Sequence, residues 1–541
     1  MAETAHRLRL VPPDGEGRVR ALETFAIPGI EEIERALARL ASTGRYELVR
    51  TASGESEERW RDTADHRILA AGLLLRIDRP GTARLSPLAT SRPVPADDEG
   101  FVQTLPPGAP DGAVRAEGPV GTRVAALAGA RPLETLATLR LRHRRATVRE
   151  GDAWLSLDVE ELRAVRPQDD GERRVSLLTI AGPDERSVAS LAASIRETCA
   201  LAPAPRFAAT ALDLAGVPDP RVVDLGPIEL APQPSMAELA FATLRADGRD
   251  FLQGEPTARL GDAPDAVHDM RVAARRLRAA LDLFEGALPA RAKTLRRELK
   301  RFGGRLGRVR DLEVQLRQLE GWRRDNPRSA AAAFDAIERV LRARHAVARR
   351  TLLRALEAPR YERLVARLTS LLREGPKRRP AAGRRPAVAD APQLVRKRYR
   401  RVRRVGDVLS RRSTPAELHE LRIACKSLRY ALDFYQPLYD GAVSGMIDGV
   451  SALQRLLGDH QDMWVAIGHL EELAARGRRK LPSQALFLMG AISAQCERRA
   501  AVLRRSFPKR YRRVRGRRKR ALRTALKDAA REVASEPRRV P

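Results

Sequence analysis

The sequence predicts an α+β multidomain protein, in which an N-terminal and mainly antiparallel β domain precedes an all-α domain of two similar helical bundles. Three observations lead there. Residues 1 to about 215 carry short apolar/polar alternations, from Met236 onward the apolar period becomes helical, and one segment of the helical half occurs twice.

In the N-terminal part, Arg45 to Arg50, Leu73 to Ile77 and Trp154 to Val159 alternate with period two, which predicts strands. Gly151-Asp152 ahead of Ala153-Trp154 reads as a hairpin turn, and Ile30 to Leu40 has the spacing of a helix. The proline-rich stretch from Gly216 through Pro234 predicts a stiff linker over residues 216–235. Beyond it, Met270, Ala274, Leu277, Leu281 and Phe284 fall on one helical face. Gly375 to Pro392, with its prolines and basic cluster, reads as an exposed loop between two helical units of about 236–372 and 393–510. Arg504 to Arg520 is so basic that it reads as a flexible arm, followed by a basic tail over 521–541.

The duplication is exact in register. Val267-His268-Asp269-Met270-Arg271 through Arg278 returns 151 residues later as Leu418-His419-Glu420-Leu421-Arg422 through Arg429. The same offset pairs Leu306-Gly307-Arg308-Val309-Arg310-Asp311 with Leu457-Gly458-Asp459-His460-Gln461-Asp462, and Val314 with Val465. Charge is concentrated in this half. Residues 1–230 hold 31 Lys+Arg against 35 Asp+Glu, whereas the remainder holds 70 against 34, so the net +32 of the chain comes entirely from the helical part. Such an excess repels itself and points to a polyanionic partner: polyphosphate, nucleic acid or an anionic membrane.

At 541 residues and 43% hydrophobic, the chain has ample material for two or three cores, which excludes disorder throughout. Its three cysteines, Cys199, Cys425 and Cys496, are too far apart in sequence for a disulfide framework or a cysteine metal site. With no signal-type apolar start and no membrane span, since Leu481 to Cys496 is short and interrupted by Ser and Gln, it reads as cytosolic.

At about 100° per residue, His268, Arg271, Arg275 and Arg278 occupy an arc of roughly 80°, beside the apolar seam; His419, Arg422, Lys426 and Arg429 repeat it. Cations stacked along one stripe repel one another, so their proximity is understandable if an anion lies across them. Arg297, Arg301, Arg305 and Arg308, with Lys300 alongside, form a further stripe that suggests a second wall of the groove. An imidazole beside arginines is held neutral, and a bound phosphate pulls it toward the cation, so the site is expected to tighten as pH falls. The competing account makes the histidines caps and the arginines solvated faces; recurrence of all four positions weighs against it. Asp311 and Asp462 read as partners of arginines rather than metal ligands.

With the His-x-x-Arg helix, the repeated basic stripe and the Leu-Gly-x-x-x-Asp-x-x-Val segment, residues 236–520 resemble CHAD, the conserved histidine α-helical domain. The resemblance implies a pair of four-helix bundles related by pseudo-twofold symmetry, with a basic surface that binds inorganic polyphosphate. It assigns polyanion contacts to His268, Arg271, Arg275, Arg278, His419, Arg422, Lys426 and Arg429. The second copy departs downstream, where Asp459 stands for Arg308, and Ala452 and Leu456 for Arg301 and Arg305.

Trp60-Arg61-Asp62-Thr63 through Arg76, and Trp154 to Glu160, resemble segments of CYTH domains, or triphosphate tunnel metalloenzymes. That resemblance implies a closed antiparallel β-barrel over residues 1–215 in which basic residues grip a triphosphate and glutamates hold Mg²⁺ or Mn²⁺. The acidic pattern is degenerate here: Glu3-Thr4-Ala5-His6-Arg7 keeps one carboxylate, and Val175 to Ile180 keeps none. Glu3, Asp158 and Glu160 remain as metal candidates, and Arg7, Arg9, Arg76, Arg140, Arg142 and Arg144 as phosphate contacts. The sequence thus favours a polyphosphate-binding protein without catalytic residues or a cofactor, associated with polyphosphate granules. The alternatives are a Mg²⁺- or Mn²⁺-dependent inorganic triphosphatase and non-specific nucleic-acid binding. Aromatics at 4% and no groove-reading motif argue against specific nucleic-acid recognition, and no membrane partner is expected.

Overall fold

The computed structural model describes residues 21–78, 81–88, 100–106, 114, 117–166, 169–205, 207–221, 223–263, 265–326, 331–378, 380–439, 441–477, 481–516, 520–524 and 526. The chain divides into two compact units, Met1–Val223 and Asp224–Pro541, and the boundary falls inside the proline-rich segment.

Among the described residues, alternating sequence in the first unit folds as nine strands: β1 (Ala21–Ile27), β2 (Glu47–Asp62), β3 (Leu73–Asp78), β4 (Thr82–Pro87), β5 (Phe101–Thr104), β6 (Glu134–Glu150), β7 (Ala153–Arg166), β8 (Asp169–Gly182) and β9 (Ala202–Pro203). Five helices accompany them: α1 (Ile30–Ser42), α2 (Arg67–Ala70), α3 (Pro119–Ala128), α4 (Glu185–Arg196) and α5 (Phe207–Ala215). The sheet is antiparallel in the order β5-β4-β3-β2-β6-β7-β8-β1-β9. Gly151, at φ 57°, turns β6 into β7 and pairs Glu150 with Ala153.

The closed barrel expected for this unit is not what forms: among the described residues the sheet is open, with β5 and β9 at its edges. Edge strands of four and two residues are too short to ladder with each other, and helices cover the faces instead. Alternation puts Ala146 and Val148 of β6 into a core with α1 and α4, while Leu139 and Leu141, of opposite parity, pack on the other face with Phe207 and Ala211 of α5.

The second unit is helical: α6 (Met236–Leu260), α7 (Ala266–Leu283), α8 (Ala292–Asp325), α9 (Ala331–Leu356), α10 (Pro359–Glu374), α11 (Ala387–Gly406), α12 (Pro415–Tyr435), α13 (Ser444–Gly477) and α14 (Ser483–Arg515). The starts of α6, α7, α8 and α9 recur within two residues of the 151-residue offset as those of α11, α12, α13 and α14. Helix α14 runs on through the position of the break that separates α9 from α10. Pseudo-twofold symmetry is visible at atomic level. The Met236 N–H donates to the Arg385 carbonyl at 2.8 Å, and the Ala387 N–H to the Pro234 carbonyl at 2.9 Å; each bond maps onto the other by the offset. Phe284 meets its own counterpart Tyr435 edge to face at 5.8 Å between centroids. The distal halves of α8 and α13 then join α9 and α14 in a shared core that includes Leu319, Phe334, Leu470 and Ile492.

Two expectations for this unit are corrected. Gly375 to Pro392 is largely exposed over 380–386, as expected, but it is not a plain loop: its described residues form short 3₁₀ turns and the first turns of α11, and its backbone makes the symmetric bridge to the start of α6. Arg504 to Arg515 is not a flexible arm but the end of α14, since Phe507, Tyr511 and Val514 supply a buried seam at helical spacing within the basic run. Tyr511 donates to Asp407 of the α11 end at 2.7 Å, and Tyr399 of α11 reaches the Val514 carbonyl. Of the 521–541 tail, 521–524 and 526 are helical and the rest lies outside the described residues. Cys199, Cys425 and Cys496 are buried free thiols. Among the described residues no helix is long and apolar enough to cross a membrane.

Candidate anion-binding site

Both copies of the stripe stand on helices held by the same buried seam: Val267, Met270, Ala274, Leu277 and Leu281 in α7, and Leu418, Leu421, Cys425, Leu428 and Leu432 in α12. The seam orients the basic residues, all eight of which are half-buried at its margin. Helix α12 starts at a capping box in which Thr414 and Glu417 satisfy each other's backbone N–H. In α7 the equivalent cap is absent, and Asp265 instead faces Arg310 at 3.1 Å and Arg317 at 3.2 Å.

The Leu-Gly-x-x-x-Asp segments explain themselves against these helices. A Cβ on Gly307 would stand 3.6 Å from Nε of Arg271, and one on Gly458 would stand 3.8 Å from Nε of Arg422. In both copies a guanidinium thus lies along the neighbouring helix beside a glycine, at ordinary contact distance from where a Cβ would stand. Asp311, one turn further on, is 3.9 Å from Arg271, and Asp462 faces Arg422, whose charge opposes the desolvation that raises its carboxyl.

The symmetry brings the two stripes together. Arg275 donates from Nε to the Tyr430 hydroxyl at 2.9 Å across the interface, and with the Phe284–Tyr435 contact this sets α7 and α12 side by side in the same direction. Arg271, Arg275 and Arg278 of one copy and Arg422 of the other all act on Lys426. Burial first and then these four cations lower its amine to about 7. Burial likewise lowers Arg271 and Arg278, helped in each case by neighbouring cations. His268 is lowered by burial and then by Arg310. Nδ1 of His268, its counterpart Nδ1 of His419, and Nε of Arg278 are buried without a hydrogen-bond partner. Among the described residues Arg275, Arg278, Arg422 and Lys426 make no ion pair; Arg429 pairs with Asp433 at 3.4 Å and donates to Gln454. Over ten residues of helix the array is ~15 Å long.

Of the α8 residues the sequence suggested, Lys300 falls within roughly 60° of Gly307 around the helix, as do Arg296 and Arg310, whereas Arg297, Arg301, Arg305 and Arg308 lie roughly 80–160° from it. Arg296 and Arg310 act on Arg278 and His268. They escaped notice because their counterparts Ile447 and Gln461 carry no charge, although their register with Gly307 was there to use. Tyr430, opposite Ala279 in the repeat, left no such signal.

In the N-terminal unit, Arg76, Asp158 and Glu160 are buried polar residues, as is Glu58. Arg76 lies 3.6 Å from Glu58, whose carboxyl burial pushes up, and Arg145 donates to Asp158. Alternation puts Arg140, Arg142 and Arg144 on the opposite face from Arg145 and Asp158. There they pair with Glu57 at 3.2 Å, Glu55 at 3.7 Å and Glu34. Glu3, Arg7 and Arg9 lie outside the described residues. The described carboxylates do not make a divalent-cation set: no group of three or more His, Cys, Asp or Glu with metal-binding geometry occurs among the described residues, and Asp158 is engaged by Arg145.

Comparison with known proteins bears on the helical unit. Residues 242–471 match the family model of the CHAD domain. The uncharacterized proteins MT2285 and Rv2226 of Mycobacterium tuberculosis (strains CDC 1551 and H37Rv) are each 32% identical to this chain over 226 residues, 39% of its length; the match spans 41% of theirs. Among solved structures, the crystal structure of the CHAD domain from the plant Ricinus communis is 26% identical, at 52% of this chain and 93% of that one, with a TM-score of 0.45. PptA from Streptomyces chartreusis is 21% identical, at 52% and 99%, with a TM-score of 0.43. Residues 242–471 of the helical unit are thus a CHAD domain.

Proposed function

We propose that the paired α7 and α12 stripes bind inorganic polyphosphate. The observation that carries this reading is the convergence of both repeats on one array, in which Arg275, Arg278, Arg422 and Lys426 have no ion-pair partner among the described residues. Unpaired, half-buried cations repel each other; a linear polyanion lying across them supplies the missing charge and the hydrogen-bond acceptors along its length. The array needs no cofactor. A flexible chain of phosphates suits a stripe ~15 Å long. In the cell this reading associates the chain with polyphosphate deposits.

The test is titration of long-chain polyphosphate, with duplex DNA as competitor, against the wild type and a variant carrying His268→Ala, Arg271→Ala, His419→Ala and Arg422→Ala. Preference for polyphosphate at physiological salt, lost in a variant that keeps its helical circular dichroism, is the expected result. Equal binding of both polyanions by both proteins would reduce the array to ordinary basic surface.

A second reading, a metal-dependent inorganic triphosphatase, has behind it the buried Arg76, Glu58, Asp158 and Glu160 of the N-terminal sheet but no divalent-cation set among the described residues. Phosphate release from tripolyphosphate by the full chain with Mg²⁺ or Mn²⁺, abolished by Asp158→Asn, would decide for it.

A further inference from the structure

The two copies treat one helical face differently. In the first copy Arg245 of α6 is buried, and two stretches of chain close over it. Its Nε donates to the Leu372 carbonyl at 3.0 Å and its Nη1 to the Pro227 carbonyl at 2.9 Å. Leu225 and Leu372, both fully buried, pack against α6 at Gly248, where an added Cβ would stand 3.5 Å and 2.6 Å from their Cδ1 atoms. The Asp224 carboxylate accepts from the Gly226 N–H at 2.9 Å and shapes the turn, and Gly226, at φ 97°, carries the backbone past the guanidinium. By the 151-residue offset Arg245 becomes Arg396 of α11 and Gly248 becomes Tyr399, while Leu371 to Gly375 become Leu522 to Leu526. The counterparts of Leu225 to Pro227, residues 376–378, follow α10 and lie against α6 instead. Helix α11 thus has the counterpart of one covering stretch and lacks the other.

What remains beside α11 is a groove of about 540 Å³. Val395, Tyr399, Leu522 and Leu526 supply its apolar floor, with the Tyr399 ring tied by its hydroxyl to the Val514 carbonyl at 3.4 Å. Arg396, Arg400 and Arg523 line it as exposed side chains that make no ion pair or side-chain hydrogen bond among the described residues, whereas Arg403 is already held by Asp407. We propose that this groove docks an extended acidic segment of a partner protein, one that sets an apolar anchor such as leucine between carboxylates. The first copy carries the pattern within this chain: Leu225 is the anchor, the Pro227 carbonyl meets the arginine, and Asp224 and Glu229 flank them. In the docked state the anchor covers the floor, a backbone carbonyl accepts from Arg396 as that of Pro227 does from Arg245, and the carboxylates face Arg400 and Arg523. A concave apolar floor rimmed by unpaired cations favours this occupant over a bare phosphate chain, which has no apolar surface to bury. The groove shares no residue with the α7 and α12 stripes, so the proposal stands apart from the polyphosphate reading.

The test is fluorescence anisotropy of a labelled peptide with the sequence of Val223 to Leu230, titrated with the full chain at physiological salt. Saturable binding is expected, weakened at least about tenfold when Arg396→Ala and Arg523→Ala are combined, the worth of a charged hydrogen bond. Both side chains are exposed, so the double variant should keep its helical circular dichroism. A peptide carrying Leu225→Ser should bind roughly tenfold more weakly as well, because the anchor is lost. The stripe variant with His268→Ala, Arg271→Ala, His419→Ala and Arg422→Ala should bind the peptide as the wild type does. Absence of binding to the full chain overturns the proposal. So does binding indifferent to Arg396 and Arg523, which invasion of the Arg245 site would give, and binding indifferent to the leucine reduces the groove to basic surface. A dimer seen by sedimentation and dispersed by the double variant would make the occupant a second copy of this chain, and would equally overturn a partner protein.

Discussion

The two repeats share a frame and differ in charge. Seam, stripe, glycine and aspartate superpose by one offset, yet the first copy has Arg275, Arg296 and Arg310 where the second has Lys426, Ile447 and Gln461. The start of α12 is fixed by a capping box, whereas the N-cap residue of α7, Asp265, is turned to Arg310 and Arg317. The difference teaches that apolar packing maintains the symmetry while the anion-facing chemistry is free to diverge. Each half has a member whose charge changes with pH, His268 in the first and Lys426 in the second, and both are held below their ordinary values.

If the shared frame is what brings the stripes together, the largest effect comes from breaking it on the axis. Phe284 is fully buried against Phe434 and its counterpart Tyr435. Phe284→Ala should cost about 3–5 kcal/mol in denaturant unfolding of the helical unit. Tyr435→Phe, which keeps the ring and loses only a hydroxyl near the Met236 sulfur, should cost about 1 kcal/mol or less. Equal costs would show that the ring contact does not hold the copies together.

The charge difference predicts a pH dependence that the first copy alone would lack. In the free protein Lys426 is about half protonated near pH 7, and with polyphosphate bound it is fully so. Binding therefore takes up a proton, and affinity rises as pH falls through about 7, by up to tenfold per pH unit. Arg271, Arg275, Arg278 and Arg422 stay charged throughout and add no slope of their own. His268, held below its ordinary value by burial and Arg310, contributes a further rise at lower pH. Calorimetry in buffers of different ionisation enthalpy should register the uptake at pH 7.5, and K426R should remove that part while keeping the contribution of His268. An unchanged profile in K426R would show that Lys426 does not titrate on binding.

Much of this comparison was legible in the sequence, because a duplication in fixed register displays the seam and the stripe twice. Arg310 and Arg296 were not legible, because repetition is the signal that marks the stripe and their counterparts are uncharged. The stripe Arg297-Arg301-Arg305-Arg308 was regular enough to look like a wall, yet only the position of Gly307 against Arg271 shows which side of α8 faces the site. The basic run ending at Arg515 hid a seam of three residues, Phe507, Tyr511 and Val514, beneath its charge. In the N-terminal unit alternation identified strands but not sheet closure, which depends on pairing between edges far apart in the chain.

Gly307 and Gly458 offer a milder test of the shared frame. Both lie within long helices, where glycine costs about 1 kcal/mol relative to alanine, and an added Cβ would stand at ordinary contact distance from Arg271 or Arg422. Gly307→Ala and Gly458→Ala should therefore each stabilise the unit by up to about 1 kcal/mol, whereas Gly307→Leu should displace the Arg271 guanidinium and weaken polyphosphate binding. A loss of stability in either alanine variant would mean that the helices need a closer approach than this packing has.

The smallest effect sharpens the comparison most directly, because it isolates one residue that only the first copy has. Arg310 is nearly buried, paired with Asp265 and Glu313, and is the foremost charge acting on His268. Arg310→Ala removes that repulsion but leaves the burial, so the imidazole should move up toward its ordinary value without reaching it. Asp265 and Asp269, which act in the opposite direction, would then face the ring with less competition. An NMR titration of the His268 ring protons measures the change, with Gln461→Ala at the equivalent position as a control that alters no charge. If His268 titrates identically in wild type and Arg310→Ala, burial alone sets its value, and the charge asymmetry between the copies does not extend to their histidines.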